Sequence, residues 1–171
     1  MESLIQNVLT LEKIKSDTYE MNFQPCNLSG IAKEIKQELY PLFPQKNIVI
    51  QGTADLRVDA SWFHEALSNV VKNACKHTAE DGTITICMEP GERSVMIEVE
   101  DNGGGVEESE LSKLFDRLHR TANAVPTSAG IGLAITKAIV EKHHGMVSAQ
   151  NGKAGLRIRL CFPVIDANIT I

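Results

Sequence analysis

Two short turns in the second half of the chain restrict the fold more than any other feature of the sequence. The turn at 90–93 follows a segment with alternating apolar residues, 83–88, and the turn at 151–155 lies between two more, 146–150 and 156–162. Turns of this length join only antiparallel strands, because a parallel connection needs a crossover of about a dozen residues or more. The turns therefore predict two β-hairpins.

Amphipathic segments with helical spacing precede and separate these strands. They cover residues 1–20, 27–42, 62–77 and 131–144, and two short strands, 47–50 and one ending at Val58, precede the third. Asn27 is expected to cap the second helix and Gly145 to occupy the C′ position of the last. The order predicts an α+β fold, a two-layer α/β sandwich with a mixed, largely antiparallel sheet and helices on one face. An amphipathic helix with the stripe Leu4, Val8 and Leu11 precedes it.

The composition excludes several classes of protein. Hydrophobic residues make up 43% and charged residues 23% of the 171 residues, which excludes a disordered chain. The balance of lysine plus arginine against aspartate plus glutamate is 17 − 22 = −5, whereas nucleic-acid-binding proteins usually carry a basic surplus. The 4 scattered cysteines indicate thiols in a reducing compartment rather than a disulfide scaffold. Neither a transmembrane helix nor a signal peptide is expected.

The helix predicted at 62–77 has a polar face as well as an apolar one. Asn69, Asn73 and Lys76 share this face at about 100° per residue, roughly 120° from the apolar stripe. An amide oxygen is a suitable magnesium ligand and a lysine attracts phosphate. The same pattern is also typical of a solvated helix surface.

Two glycine clusters follow in the second half of the chain. Asp101 ends a strand before Gly103 and Gly105, where a carboxylate can accept a hydrogen bond from the amine of adenine and glycines let a ligand approach the backbone. A second cluster, at 130–132, opens the last helix, where backbone N–H groups and the helix dipole attract an anion. The segment between them, 114–127, has the composition of a lid over a phosphate chain. Each feature alone is equally typical of an ordinary loop.

The order and spacing of these features resemble the N, G1, F and G2 boxes of sensor histidine kinases. The boxes correspond to four runs: Asn69 to Thr78, Asp101 to Gly105, Phe115, and Gly130 to Leu133. The resemblance covers residues 28–163 and includes Asp59 and His143 as well. It implies the Bergerat fold and an ATP-binding catalytic domain with ATP and Mg²⁺ as cofactors.

The resemblance also implies a role for each box residue. Asn73 would hold magnesium, and Lys76 and Arg120 would complete the catalytic set by neutralising phosphate charge. Asp101 would bind the adenine amine. The nucleotide would be bound by Asn69, Asn73, Lys76, His77, Asp101, Gly103, Gly105, Val106, Phe115, Ser128, Ala129, Gly130, Ile131, Gly132 and Leu133.

The chain departs from the usual boxes at four positions. His77 stands where the family often has Tyr or Phe, and His144 stands where a second glycine is common. Ser128 and Ala129 replace a more usual Gly and Thr. The stretch from 121 to 128 is short for a lid.

The residue type at position 69 distinguishes related families of ATPases and kinases. In the gyrase, MutL and heat-shock chaperone ATPases the corresponding residue is a glutamate that activates water, whereas an amide has no useful basicity. We therefore expect a protein histidine kinase that transfers the γ-phosphoryl group of ATP. Two alternatives remain: a regulatory module or anti-sigma-factor-like serine kinase of the same superfamily, and a hydrolytic ATPase.

The phosphoacceptor motif of the family does not occur in this sequence. His64 and Glu65 are not followed by the family's proline, so His64 is expected to be an ordinary surface residue. Residues 1–24 resemble the end of the second helix of the dimerisation hairpin with a linker, and 25–171 would form the ATP-binding domain. The expected partners are ATP or ADP, the dimerisation domain of the same protein, indirectly a response regulator, and a second copy through the N-terminal helix, but no nucleic acid. The expected location is cytoplasmic, in a membrane-anchored protein.

Overall fold

The computed structural model describes residues 4–117 and 130–165. In chain order its helices and strands are α1 (Leu4–Lys15), β1 (Gln24–Asn27), α2 (Leu28–Leu39), β2 (Asn47–Gln51), β3 (Asp55–Val58), α3 (Ala60–Lys76), β4 (Thr83–Pro90), β5 (Ser94–Asp101), α4 (Glu108–Leu111), α5 (Gly132–Lys142), β6 (Met146–Asn151) and β7 (Leu156–Pro163). The strands at the two predicted hairpins, β4 with β5 and β6 with β7, are therefore present.

Five strands form one sheet in the order β2-β4-β5-β7-β6. β2 runs parallel to β4, and the other neighbouring pairs are antiparallel. The Gly91 N–H donates to Ser94 O at 2.8 Å and the Gly152 N–H donates to Gly155 O at 2.7 Å, so both predicted turns close hairpins. The prediction of a mixed, largely antiparallel sheet is confirmed.

Helices α2, α3 and α5 cover one face of this sheet. Side chains alternate along each strand, as in β5, where Val95, Ile97 and Val99 are buried. Phe63 of α3 is also buried, and its ring lies 5.6 Å from that of Phe162 in β7. Because alternate side chains of a strand point to opposite faces, this pattern requires one covered and one open face. The two-layer α/β sandwich is confirmed.

α1 packs against α5 and the N-terminal end of α3 in a second apolar cluster. Its buried members are Leu11, Ile14, Trp62, Ala66, Ile131, Ile135, Ala138 and Ile139. The indole N–H of Trp62 donates to the Tyr19 hydroxyl at 2.8 Å, and the Lys13 ammonium lies 5.2 Å and 5.8 Å from the centroids of the two rings. The later part of the predicted stripe, Val8 and Leu11, therefore has an apolar partner, whereas Leu4 is 51% exposed.

Both early helices end before the predicted residue. α1 ends at Lys15 rather than near residue 20, because the Ser16 hydroxyl accepts a backbone N–H two residues later and closes a turn. α2 ends at Leu39, just before Pro41, which has no N–H for a helical hydrogen bond. Leu42 is consequently outside the helix and exposed.

The residues around Pro25 form strand β1, which was not predicted. β1 pairs with β3 in a separate antiparallel ribbon. A proline is tolerated there because each strand of a two-stranded ribbon has one free edge. The predicted cap of α2 is confirmed, since Asn27 Oδ1 accepts from the Gly30 N–H at 3.0 Å.

His144, and not Gly145, occupies the C′ position of α5. His144 has a φ of 62° and donates to Glu141 O at 2.9 Å, while the Gly145 N–H donates to Val140 O at 2.8 Å. These two hydrogen bonds define a Schellman motif in which Gly145 is C″. Gly145 is needed for a different reason, because a Cβ there would collide with the Cys161 carbonyl.

The cysteines of the described residues are all free thiols: Cys26, Cys75, Cys87 and Cys161. Burial raises the pKa of Cys75 to about 11, which keeps this thiol protonated at neutral pH. Among the same residues, no helix combines the length and the hydropathy that crossing a bilayer requires.

Candidate functional site

A buried cap fixes where α3 begins and hence which residues it turns toward the site. Asp59 Oδ1 accepts from the Trp62 N–H at 3.2 Å, and its Oδ2 accepts from the Asn22 N–H at 2.9 Å. The Asp59 N–H donates to His143 Nε2 at 3.1 Å, so the proton of this imidazole is on Nδ1, which donates to Ile139 O at 2.8 Å. Burial lowers the pKa of His143, which favours the same neutral form.

The polar face of α3 lies beside the first residue of α5. Asn69 Nδ2 donates to Glu65 Oε1 at 3.4 Å, one turn earlier on the helix. A Cβ on Gly132 would lie 3.7 Å from Asn69 Cγ, so the two residues are neighbours. Asn73 is half-buried and Lys76 is exposed on the same helix. The structure therefore brings the predicted N box and G2 box together.

Thr136 holds α5 against α3 at this point. Its side chain is buried, and its hydroxyl lies 3.0 Å from Ala66 O of α3 and 3.1 Å from Gly132 O of its own helix. A buried hydroxyl without a partner is costly, so this interhelix hydrogen bond favours one relative placement of the two helices.

Asp101 provides a buried carboxylate at the end of β5. The residue is only 5% exposed, and its Oδ1 accepts both the Gly103 N–H at 2.9 Å and the Leu156 N–H at 3.2 Å. Burial raises the pKa of Asp101, and the two backbone N–H groups partly offset that effect. Since both backbone bonds use Oδ1, Oδ2 is available for a donor on a ligand.

His77 joins the end of α3 to the first glycine cluster. A Cβ on Gly103 would collide with the His77 carbonyl, so the two backbones are in direct contact. Burial lowers the pKa of the His77 imidazole, and the nearby Asp101 carboxylate partly opposes this shift. Asn69 and Asn73 lie one turn apart on α3 and His77 follows as its C-cap residue, so the last turns of this helix connect the two ends of the site over about 12 Å.

The loop after β5 combines unusual backbone angles with apolar anchors. Gly104 and Gly105 have φ angles of 90° and 77°, which side chains rarely adopt. Val106 and Phe115 are half-buried and pack against the main core. These contacts anchor the predicted G1 loop and F box to the main core.

The second glycine cluster presents backbone rather than side chains. Gly130 has a φ of 68°, while the side chains of Ile131 and Leu133 are buried in the two apolar clusters. Only the main chain of this segment can therefore contact a ligand. Three further predicted site residues lie outside the described residues: Arg120, Ser128 and Ala129.

Sequence reasoning missed several residues that shape the site. Asn151 bonds to both backbone groups of Val106, and the Leu156 N–H bonds to Asp101. Neither belongs to a box, and their partners are 45 and 55 positions away in the chain. Glu65 was missed as well, although its spacing of four residues from Asn69 on a helix was a usable signal.

The fold and the site together define a nucleotide-binding α/β sandwich. A buried carboxylate lies near the C-terminal end of α3, and the Asn69 amide and the glycine-rich start of α5 lie about two turns earlier on the same helix. The first suits the donor edge of a base and the second suits phosphates with a divalent ion.

Comparison with known proteins identifies the family. Residues 58–166, more than half of the chain, match the model described as Histidine kinase-, DNA gyrase B-, and HSP90-like ATPase, so the chain belongs to this family. The prediction of an ATP-binding catalytic domain of the histidine kinase type is confirmed.

Curated relatives are sensor proteins. The chain is 30% identical over 150 residues to sensor protein IrlS of Burkholderia pseudomallei, which covers 85% of this chain and 32% of the relative. It is 28% identical over 176 residues to sensor protein kinase PmrB of Pseudomonas aeruginosa, covering 99% and 37%. The chain thus spans about a third of the length of these relatives.

A solved structure supports the fold independently. The mycobacterial sensor histidine kinase MprB superposes with a TM-score of 0.76 at 21% identity, covering 82% of this chain and 97% of that one. At this identity the likeness establishes the fold, and the site must be argued from the residues of this chain.

Proposed function

We propose that this chain binds Mg-ATP and transfers the γ-phosphoryl group to a histidine on a dimerisation domain, as the catalytic part of a sensor histidine kinase. The observation that carries this proposal is the position of Asn69 on the α3 face beside Gly132. An amide cannot take a proton from water, so the residue suits phosphate binding better than hydrolysis.

At the base end, Asp101 would accept a hydrogen bond from the adenine amine through Oδ2. Its Oδ1 is occupied by two backbone donors, which fixes the direction of the carboxylate. Because the glycines of this loop have no side chains, a planar base can come into contact with the main chain. The adenine would contact His77, Gly103, Gly105, Val106 and Phe115.

At the phosphate end, the residues of α3 fit a magnesium-bound phosphate chain. Asn73 would be the protein ligand of the metal, whose charge offsets that of the phosphates. Asn69 and Lys76 would contact phosphate oxygens directly. The backbone of residues Gly130, Ile131, Gly132 and Leu133 would complete the phosphate contacts. Roles for Arg120, Ser128 and Ala129 are proposed from the sequence resemblance alone.

We also propose the domain division and partners that the resemblance implies. Residues 1–24 would be the end of the second hairpin helix with its linker, and residues 25–171 the ATP-binding domain. Exposed apolar residues on α1, among them Leu4, Ile5 and Leu9, fit contact with the dimerisation domain or a second copy. A response regulator would be an indirect partner, since it would receive the phosphoryl group from the histidine.

The proposed location is the cytoplasmic side of a membrane-anchored sensor. The free thiols of the described residues fit a reducing compartment. Fractionation of cells that produce the full-length protein would test the anchoring.

The decisive test mixes this chain with a separate dimerisation hairpin of a sensor histidine kinase and γ-labelled ATP. We expect label on the hairpin in an acid-labile form, as a phosphohistidine. An acid-stable product would indicate a serine kinase instead. Asn73→Ala serves as the control that should transfer nothing, and a wild-type chain that binds ATP but never labels a hairpin would contradict the proposal.

Glu65 keeps one alternative open, because it places a carboxylate 3.4 Å from the Asn69 amide. If this carboxylate reached a water molecule at the phosphates, the domain would hydrolyse ATP by itself. Steady ATP turnover by the chain alone, abolished in Glu65→Gln, would favour this second function. If ATP turnover by the wild type and by Glu65→Gln were both near background, phosphotransfer would be favoured.

A further inference from the structure

The turn between β6 and β7 lies under the glycine loop that follows β5. Asn151 Oδ1 accepts from the Val106 N–H at 3.0 Å, and its Nδ2 donates to Val106 O at 2.8 Å. One amide side chain thus satisfies both backbone groups of a loop residue. This arrangement reproduces the pairing that a neighbouring strand would provide, in a loop that has no such strand.

Two other contacts bind the same loop to the same turn. The Gly104 N–H donates to Ala154 O at 2.9 Å. A Cβ on Gly105 would collide with Asn151 Oδ1, so the loop lies directly on the amide. Val106 and Gly105 therefore depend on Asn151 for their position.

The turn also holds the carboxylate proposed to bind adenine. The Leu156 N–H donates to Asp101 Oδ1 at 3.2 Å, and a Cβ on Gly155 would collide with the Asp101 backbone and side chain. The carboxylate and the loop are thus fixed by one short segment, 151–156. Movement of this segment would displace both groups that are proposed to meet the base.

We propose that Asn151 is a positioning residue that sets the adenine end of the nucleotide site. This inference rests on the proposed function, because it assigns Asp101 and the glycine loop to the base. Asn151 does not touch the phosphate end, where the proposed contacts come from α3 and the start of α5. Its loss should weaken recognition of adenine and spare recognition of the phosphates.

Asn151→Asp is the sharpest variant. The aspartate keeps an acceptor for the Val106 N–H, but its second oxygen faces Val106 O, so two acceptors oppose each other. Its negative charge also lies beside the Glu108 carboxylate, whose Oε1 is 3.3 Å from the Asn151 Nδ2 of the native chain. We expect the Kd for ADP to rise by about tenfold or more, which corresponds to about 1.4 kcal/mol. Gln150→Glu is the matched control, because Gln150 is an exposed amide on the opposite face of the same strand.

Calorimetry should compare ADP with magnesium tripolyphosphate, which lacks the base. For a positioning role, Asn151→Asp loses ADP affinity and keeps its tripolyphosphate affinity, while Gln150→Glu keeps both. Equal losses for the two ligands, or an unchanged Kd for ADP, would overturn the inference. If Asn151→Asp does not fold, Asn151→Ala gives the same comparison without the added charge. A wild-type chain that binds tripolyphosphate but not ADP would instead overturn the proposed adenine site itself.

Discussion

Replacing Asp101 with asparagine separates two roles of this side chain. Oδ1 holds backbone N–H groups, and Oδ2 is proposed to accept a hydrogen bond from adenine. Oδ1 accepts the N–H groups of Gly103 and Leu156, and an asparagine oxygen can keep both bonds. The second oxygen becomes an NH₂ group, which donates and does not accept. That group would face the adenine amine, so two donors would meet where a donor and a charged acceptor met before.

The usual energy of a charged hydrogen bond sets the magnitude of this change. A hydrogen bond to a charged acceptor contributes about 1.5–3 kcal/mol. With about 1.4 kcal/mol for each factor of ten, we expect the Kd for Mg-ADP to rise by about 10- to 150-fold.

Stability without nucleotide should change in the opposite direction. Burial raises the pKa of Asp101 in the folded chain, so the ionised carboxylate opposes folding at neutral pH. Asparagine carries no such penalty, and the variant should be at least as stable as the wild type near neutrality. The wild type takes up a proton on folding between the ordinary carboxyl pKa and the raised pKa of folded Asp101. The difference in stability between the two chains should therefore shrink as the pH falls through this interval and stay constant below the ordinary carboxyl pKa.

Calorimetry with Mg-ADP and urea unfolding without nucleotide measure the two effects. Asp81→Asn is the matched control, since Asp81 is exposed in a turn and undergoes the same chemical change. A Kd for Asp101→Asn within twofold of the wild type would refute the reasoning about the base. A large loss of stability at neutral pH would show that the carboxylate serves the fold instead.

Four further substitutions test other parts of the molecule. Asn73→Ala removes the proposed metal ligand, so the affinity for ADP by calorimetry should become nearly independent of magnesium; an unchanged response to EDTA would contradict the assignment. Gly103→Ala forces a methyl group against the His77 carbonyl, so we expect ADP binding to be lost and the thermal midpoint to fall; normal binding would show that this contact is dispensable. His144→Gly relieves a positive φ and should raise the free energy of unfolding in urea by about 0.5–1 kcal/mol, whereas Gly145→Ala should lower it. Equal urea midpoints for the wild type, His144→Gly and Gly145→Ala would contradict the geometry described for the end of α5.

The sequence predicts those parts of the site that depend on short spacings. Asn69, Asn73 and Lys76 are spaced at i, i+4 and i+7, and all three belong to the single helix α3, as the spacing predicts. Asn27 and the two hairpin turns likewise act on neighbours within a few positions. Local hydrogen bonding decides such features, and local sequence is sufficient to predict them.

Contacts between distant segments could not be predicted in the same way. Asn151 looks like an ordinary turn residue until β6 and β7 place it under Val106. Gly145 matched the usual C′ residue, but the structure places His144 in the left-handed position and requires Gly145 for the close approach of β7. In each case tertiary packing, absent from any short window, decided the outcome.

The packing of α1 has a practical consequence for anyone who prepares this domain. A shortened chain that began at β1 would expose to water the apolar surface formed by Trp62, Ile135 and Ile139, which α1 otherwise helps to bury. Surfaces of this kind drive proteins to self-associate. A chain trimmed to its smallest ATP-binding core would therefore aggregate more readily, and a sample for biochemical work should retain the first helix.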